Sequence, residues 1–153
     1  MIASAADTAY WENLPKQQYN VDDHGFGDCW RACIAAILCL KNEDLPLFRA
    51  DEEGITGDEL SAEAQKWLAS RGYILFRGIS PNGIYYPKYA QEDNYHHVPI
   101  IAVGPTVKTK SLTDYRHCCV YELATDRLLY DPTDTDRDPG LISIEEVLFI
   151  LGV

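Results

Sequence analysis

Long apolar runs, a basic surface and metal-binding spacings are the features that this sequence lacks. No stretch approaches the roughly 18 consecutive apolar residues that a membrane-spanning helix needs, and residues 1–10 lack the basic start and apolar run of a secretory signal. The 13 basic residues stand against 24 acidic ones, and the resulting formal charge of −11 repels phosphate backbones and anionic lipid surfaces. We therefore expect a cytoplasmic protein with neither nucleic acid nor a membrane as a partner.

The cysteines favour free thiols over disulfides. Their number is odd, and two of them are adjacent, so that an internal bridge between those two would close a strained ring. Reduced thiols in a cytoplasm are the simpler interpretation. No Cys-x-x-Cys or His-x-x-x-His pair is present, and we expect no cofactor and no metal. A histidine and cysteine metal site stays open only as a weaker alternative, with candidate ligands at His96, His97, His117, Cys118 and Cys119.

The order of sequence patterns predicts one domain of the α+β class over residues 1–153. Residues 1–28 show no clear period and are interpreted as an irregular lead-in wrapped on the surface. Residues 29–70 carry helical spacing of apolar side chains, whereas residues 73–153 are mainly short β-branched or apolar runs separated by turn residues. Helices followed by strands indicate helices packed on an antiparallel sheet.

Individual boundaries follow from the same patterns. Helices are predicted at about 29–40, 42–48 and 57–70, with Asp28 as an N-cap that accepts from the first-turn amides and Gly72 as a stop. Strands are predicted at 73–76, 98–103, 118–123 and 128–130. The segment 80–95, rich in tyrosine, is expected to be a long loop that could overhang a cleft.

Cys29 is the candidate nucleophile. It directly follows a glycine-containing turn and opens the most apolar helix, where the positive end of a helix dipole and a nearby imidazole would both favour the thiolate. The alternative is that Cys29 is one of three small buried residues on that helix. Cys33 and Cys39 are interpreted as structural.

His117 and Asp131 are the candidate base and its orienting carboxylate. Of the four histidines, His117 is the one that opens a predicted strand, although it could simply cap that strand. Asp131 ends the next strand, and the hairpin through residues 124–126 would bring its carboxylate to the imidazole. Because strand side chains alternate between faces, the two share a face only if a three-residue turn or a bulge sets the register, and we predict one of these.

Several segments together resemble a known family. Residues 27–38 (Gly-Asp-Cys-Trp-Arg-Ala-Cys-Ile-Ala-Ala-Ile-Leu), residues 43–48, the His-Cys-Cys-Val run from His117 and the Tyr-Asp-Pro run to Pro132 with Gly140 resemble the small papain-like cysteine peptidases of bacteria and their phages. The resemblance covers about 29–48 and 97–141. It implies a papain-like fold, a Cys29–His117–Asp131 triad and cleavage of a peptide or isopeptide bond through an acyl-enzyme.

Departures from that family bear on the rim of the site. Asp23 stands where papain relatives place the glutamine that stabilises the oxyanion, so the resemblance transfers that role to Gln18, which could equally be an ordinary exposed amide. Trp30, Tyr85 and Tyr86 are candidate substrate contacts. The expected function is thus a cysteine hydrolase acting on a peptide or protein, with a catalytically inert binding or inhibitor module, encoded by a phage against a host protein, as the alternative.

Overall fold

The computed structural model describes residues 1–79, 98–106, 116–122, 125–133 and 139–153. Its helices are α1 (Thr8–Glu12), α2 (Val21–His24), α3 (Cys29–Ile37) and α4 (Gly57–Ala69), with a 3-10 turn at Asn42–Asp44. Its strands are β1 (Tyr73–Ile79), β2 (Pro99–Gly104), β3 (His117–Glu122), β4 (Leu128–Tyr130) and β5 (Glu146–Gly152). In the described part of the chain, no helix is long and apolar enough to cross a bilayer.

The strands form one sheet in the order β1-β5-β2-β3-β4, with every neighbouring pair antiparallel. The predicted α+β class with an antiparallel sheet is therefore confirmed. Strand β5, which lies between β1 and β2, was not predicted, although its run from Val147 to Leu151 is apolar throughout. A continuous apolar run of this kind is typical of a strand that is buried on both faces.

The helix α3 lies against the sheet and every one of its residues is buried. Ile34 and Ile37 pack in one cluster with Val120 of β3 and Leu148 of β5. The opposite face of the sheet carries a second, smaller cluster that includes Cys119 and Tyr121 of β3. Since β3 is buried on both faces, its start is held rigidly between two layers of side chains.

Two predicted helices are shorter in the structure. The helix that opens at Cys29 ends at Ile37 instead of residue 40, and Cys39 has a positive φ of 58°. The prediction of a helix at 42–48 is wrong, because only a 3-10 turn at Asn42–Asp44 is present. Pro46 restricts Leu45 to an extended conformation with ψ 147°, and the turn ends there. Helix α4 matches its prediction, and Gly72 follows it with a φ of 81°.

The lead-in is more ordered than predicted. It contains α1 and α2, and its Ala3, Ala5 and Trp11 side chains are buried. Its backbone is bonded to the end of β4, where the Gln17 amide donates to the carbonyl of Pro132 over 2.7 Å. The segment therefore joins the region before α3 to the region after β4.

Candidate active site

Cys29 is the first residue of α3, and a buried ion pair fixes the backbone beside it. The Asp28 carboxylate accepts from the Arg31 guanidinium over 2.7 Å and from the backbone amide of Tyr19 over 2.9 Å. Asp28 occupies the predicted N-cap position, but its side chain makes no capping bond to α3, so the predicted contact between its carboxylate and the first-turn amides is wrong. The carboxylate instead ties the lead-in to the helix start, and the first-turn amides of α3 receive no side-chain cap from it.

His117 is the first residue of β3 and lies opposite Gly104 of β2. Between β3 and β4 the register pairs Val120 with Tyr130 but Tyr121 with Leu128, which marks a β-bulge. The bulge that the sequence argument required is therefore present. Continuing the pairing past Tyr130 places Asp131 on the same face as Cys119 and His117.

A short contact joins the imidazole to the carboxylate. The Nε2 of His117 lies 2.8 Å from Oδ1 of Asp131, and both side chains are almost completely buried. The Thr133 hydroxyl donates to the same carboxylate oxygen over 2.7 Å, and the amide of Gly140 donates to Oδ2 over 2.9 Å. The carboxylate is thus held in one orientation by donors on both of its oxygens.

Cys29 lies on the other side of the imidazole. Nε2 of His117 is engaged with Asp131, and the imidazole interacts electrostatically with the Cys29 sulfur. Cys118, on the face of β3 that packs on α3, also interacts with Cys29. The carboxylate and the imidazole are thus in hydrogen-bond contact, and the sulfur lies near enough to the imidazole for their charges to interact.

These contacts shift the three ionisation equilibria toward charged forms. The hydrogen bond from Cys118 lowers the pKa of Cys29 well below its usual value, burial opposes this, and the bond and charge of His117 lower it further. Burial lowers the pKa of His117, but the bonds to Asp131, Cys119 and Cys29 outweigh burial and raise it. Burial raises the pKa of Asp131, yet His117 holds it below its usual range. The site is therefore poised as a thiolate and an imidazolium.

A cleft of about 620 Å³ opens at Cys29. Cys29, Trp30 and Cys118 line it at one end, together with Val103 and Leu148 of the sheet. His117 is 1% exposed and is not among its lining residues. A molecule in the cleft would therefore meet the sulfur first, with the imidazole behind it.

The remaining predicted site residues fall in different places. Trp30 lines the cleft, and its buried Nε1 has no hydrogen-bond partner among the described residues. Gln18 is exposed, its side-chain oxygen accepts from Arg31, and it does not line the cleft, so its oxyanion role stays a prediction. Tyr85 and Tyr86 lie outside the described residues, as does the predicted loop 80–95.

The alternative metal site is not assembled as predicted. His96 and His97 lie outside the described residues, while Cys118 and Cys119 belong to clusters on opposite faces of the sheet. The structure does bring donor atoms of His117, Cys119 and Asp131 within 4.8 Å of one another. In that group the imidazole and carboxylate already pair with each other, so the geometry is accounted for without an ion.

Sequence reasoning missed three residues around the candidate site. Thr133 and Gly140 donate hydrogen bonds to the Asp131 carboxylate, and Cys118 interacts with Cys29. Thr133 follows Asp131 by two positions, a spacing at which a hydroxyl commonly bonds a preceding carboxylate, so this signal was available. Gly140 entered the sequence analysis only through the family resemblance. It lies nine positions from Asp131, and no local sequence pattern predicts a contact between them.

Together the fold and the site define an α+β protein whose described residues bring a cysteine, a histidine and an aspartate into one contact chain beside a cleft. Comparisons with protein-family models, with curated proteins and with solved structures found no match to this chain.

Proposed function

We propose that the chain is a papain-like cysteine hydrolase that cleaves a peptide or isopeptide bond through an acyl-enzyme. The observation that supports this proposal is the contact chain from Asp131 through His117 to Cys29, with the sulfur at the end of a cleft. A nucleophile, a base and an orienting group in hydrogen-bond contact are the arrangement that thiol acyl transfer needs.

In the first half-reaction the Cys29 thiolate attacks the carbonyl carbon of the substrate amide. The imidazolium of His117 then gives the proton on Nδ1 to the leaving nitrogen, and an amine departs while a thioester remains on Cys29. Asp131 keeps the imidazole oriented through Nε2 and stabilises its positive charge. This role requires a carboxylate that stays ionised, which the lowered pKa of Asp131 provides.

In the second half-reaction water replaces the amine. Nδ1 of the now neutral His117 takes a proton from the water, whose oxygen attacks the thioester carbonyl. The carboxylic acid product leaves, and the Cys29 thiolate and imidazolium return. The amides of the uncapped first turn of α3 lie beside the sulfur and are suitable donors for the developing oxyanion.

The proposed substrate is a peptide or a protein segment, of which the cleft would hold a part the size of a small molecule. Its volume of about 620 Å³ lies within the range of roughly 300–1,000 Å³ found for small-molecule and cofactor sites. Trp30 offers an apolar wall beside the nucleophile. We also propose a cytoplasmic location. The structure does not identify a compartment, since it shows only that the described residues contain no membrane-spanning helix.

A catalytically inert papain-like binding module is the second candidate. The observation in its favour is burial, since Cys29 is 7% exposed and leaves a substrate carbonyl little room without local movement. An inert module needs no reactive thiol. The two candidates therefore differ in the chemistry of Cys29, which can be measured without a known substrate.

The test is the rate of Cys29 alkylation by iodoacetamide as a function of pH. Tryptic digestion isolates Cys29 on the peptide 17–31, away from the other cysteines, so mass spectrometry follows it alone. We expect the wild-type rate to reach its plateau below about pH 7, as activated thiolates do. In the variant His117→Ala, Cys29 loses the charge of the imidazolium but keeps Cys118, so its plateau should move to a higher pH. Complete loss of activation, to a pKa of about 8.5, would make the rate at about pH 6 some 300-fold lower than the variant's own alkaline plateau.

Comparing each protein with its own plateau removes the effect of intrinsic nucleophilicity. His117→Gln serves as the matched variant, because glutamine can still donate to Asp131 but cannot take a proton from sulfur. A peptidyl epoxide should then label the wild-type chain and neither variant. Identical pH profiles in all three folded proteins would show that His117 does not activate Cys29, and the hydrolase proposal would be abandoned.

A further inference from the structure

A second thiol stands beside the proposed nucleophile. All five cysteines are described and free, and Cys118 packs in the same core cluster as Cys29 and interacts with it. Cys29 and Cys118 both line the cleft, and each is 7% exposed. Cys33 and Cys119 are completely buried and do not line it, while Cys39 lies beyond the far end of α3.

We infer that Cys29 and Cys118 form a dithiol modification site that peroxides convert into a disulfide, and that this oxidation reversibly blocks the cleft. The inference rests on the proposed function only for its consequence, the loss of hydrolysis. The covalent chemistry itself depends on the two sulfurs, their contact and the access that the cleft provides.

The first step consumes one hydrogen peroxide. The Cys29 thiolate attacks one peroxide oxygen, the O–O bond breaks, and the products are a sulfenic acid on Cys29 and hydroxide. In this step the sulfur is oxidised by two electrons and the peroxide is reduced by two. In the second step the Cys118 sulfur attacks the Cys29 sulfur, an S–S bond forms, and the sulfenic oxygen leaves as water with the Cys118 proton. A dithiol reductant reverses the bond and is itself oxidised.

The first step also prepares Cys118 for the second. The hydrogen bond to the Cys29 thiolate, together with burial, raises the pKa of Cys118, so Cys118 remains a protonated donor while Cys29 is an anion. A sulfenic acid is neutral, and its formation removes the negative charge that keeps Cys118 protonated. The two side chains line the same cleft and pack in the same core cluster, and the bond requires the sulfurs to approach to about 2.05 Å.

The test is peroxide treatment of the reduced chain followed by non-reducing peptide mapping. Trypsin leaves Cys29 on peptide 17–31 and Cys118 on peptide 117–127, so the expected disulfide joins these two peptides with the loss of two hydrogen atoms. Cys119 lies on the same peptide as Cys118. Fragment-ion spectra of the cross-linked peptides, compared between the wild-type chain and the variant Cys119→Ser, show which of the two cysteines forms the bond. We expect the cross-link in the wild-type chain and in Cys119→Ser, with full recovery of Cys29 alkylation after reduction.

In Cys118→Ser we expect no cross-link, and Cys29 should pass to a sulfinic acid that a dithiol does not reverse. A cross-link to another cysteine, or equally irreversible loss in the wild-type chain, would overturn the inference. If Cys118→Ser does not fold, mapping of the wild-type chain decides alone. Reduced Cys29 that fails to alkylate rapidly counts against the proposed hydrolase, whereas rapid alkylation without a cross-link counts against this inference only.

Discussion

The thiolate and imidazolium assigned to the site predict an unusual dependence of stability on pH. When a group binds protons differently in the folded and unfolded chains, the free energy of unfolding changes by about 1.36 kcal/mol per pH unit for each proton of difference. His117 has a raised pKa, so its stabilisation is complete below its unfolded pKa and is lost as pH rises. Cys29 has a lowered pKa, so its stabilisation appears as pH rises toward its unfolded pKa.

The two contributions oppose each other in one window. Unfolded histidine and cysteine have pKa values of about 6.5 and 8.5. Between these values the folded pair holds one proton, on the imidazole, and the unfolded pair also holds one, on the thiol. The free energy of unfolding of the wild-type chain should therefore stay level, as far as this pair determines it.

Replacing Cys29 with serine removes the compensation. The folded variant still holds a proton on His117, because Asp131 continues to raise its pKa, while unfolded histidine has lost its own. Integrating the proton difference from about pH 6.5 to 8.5 gives a loss of about 2 kcal/mol in the free energy of unfolding. Urea denaturation at several pH values measures it, with the exposed Cys39→Ser as the matched control that should follow the wild-type chain.

The result that refutes this reasoning is equally clear. If the wild-type chain loses stability across the window as steeply as Cys29→Ser, then Cys29 is a neutral thiol in the folded state. The comparison uses slopes, so a general loss of stability caused by the serine does not affect it.

Two further predictions concern the carboxylate and its support. Asp131→Asn should lower the pKa of His117 by about one to two units, because a hydrogen bond to a charged group contributes about 1.5–3 kcal/mol. NMR titration of the ring protons of His117 measures this pKa. An unchanged pKa would show that the carboxylate does not stabilise the imidazolium. Gly140→Ala should lower the free energy of unfolding by about 1–3 kcal/mol more than Gly54→Ala, as measured by thermal unfolding. Both glycines have a positive φ, but only the new Cβ at Gly140 would meet another atom, the Tyr121 hydroxyl at 2.8 Å. Equal losses in the two variants would contradict the packing around Gly140.

The class of fold could be predicted because it depends on local periodicity. Residues 57–69 have helical spacing between a threonine cap and a glycine stop, and four strands begin within one residue of their predicted starts. Strand β5 was missed because a short continuous apolar run does not by itself distinguish a strand from a buried helix segment. The position of β5 between β1 and β2 depends on long-range pairing that no local pattern contains.

The triad residues could be predicted for a different reason. Cys29 and His117 each begin a regular element and Asp131 directly follows one, so the apolar pattern of each element marks where a polar side chain meets the edge of the core. Gln18 shows the limit of this reasoning, because it lies in the lead-in, where spacing along the chain does not determine position. Its oxygen bonds to Arg31, a buried residue of α3.

The bulge between β3 and β4 links fold to chemistry most directly. A regular hairpin in which Tyr121 pairs with Leu128 would carry Tyr130 opposite Cys119 and turn Asp131 to the face of Cys118. The carboxylate would then lie on the side of the nucleophile, where its negative charge would disfavour the thiolate. With one extra residue in β4, Asp131 joins His117 and Cys119, and the imidazole separates the two anions. One residue of register therefore determines whether the carboxylate supports the base or opposes the thiolate.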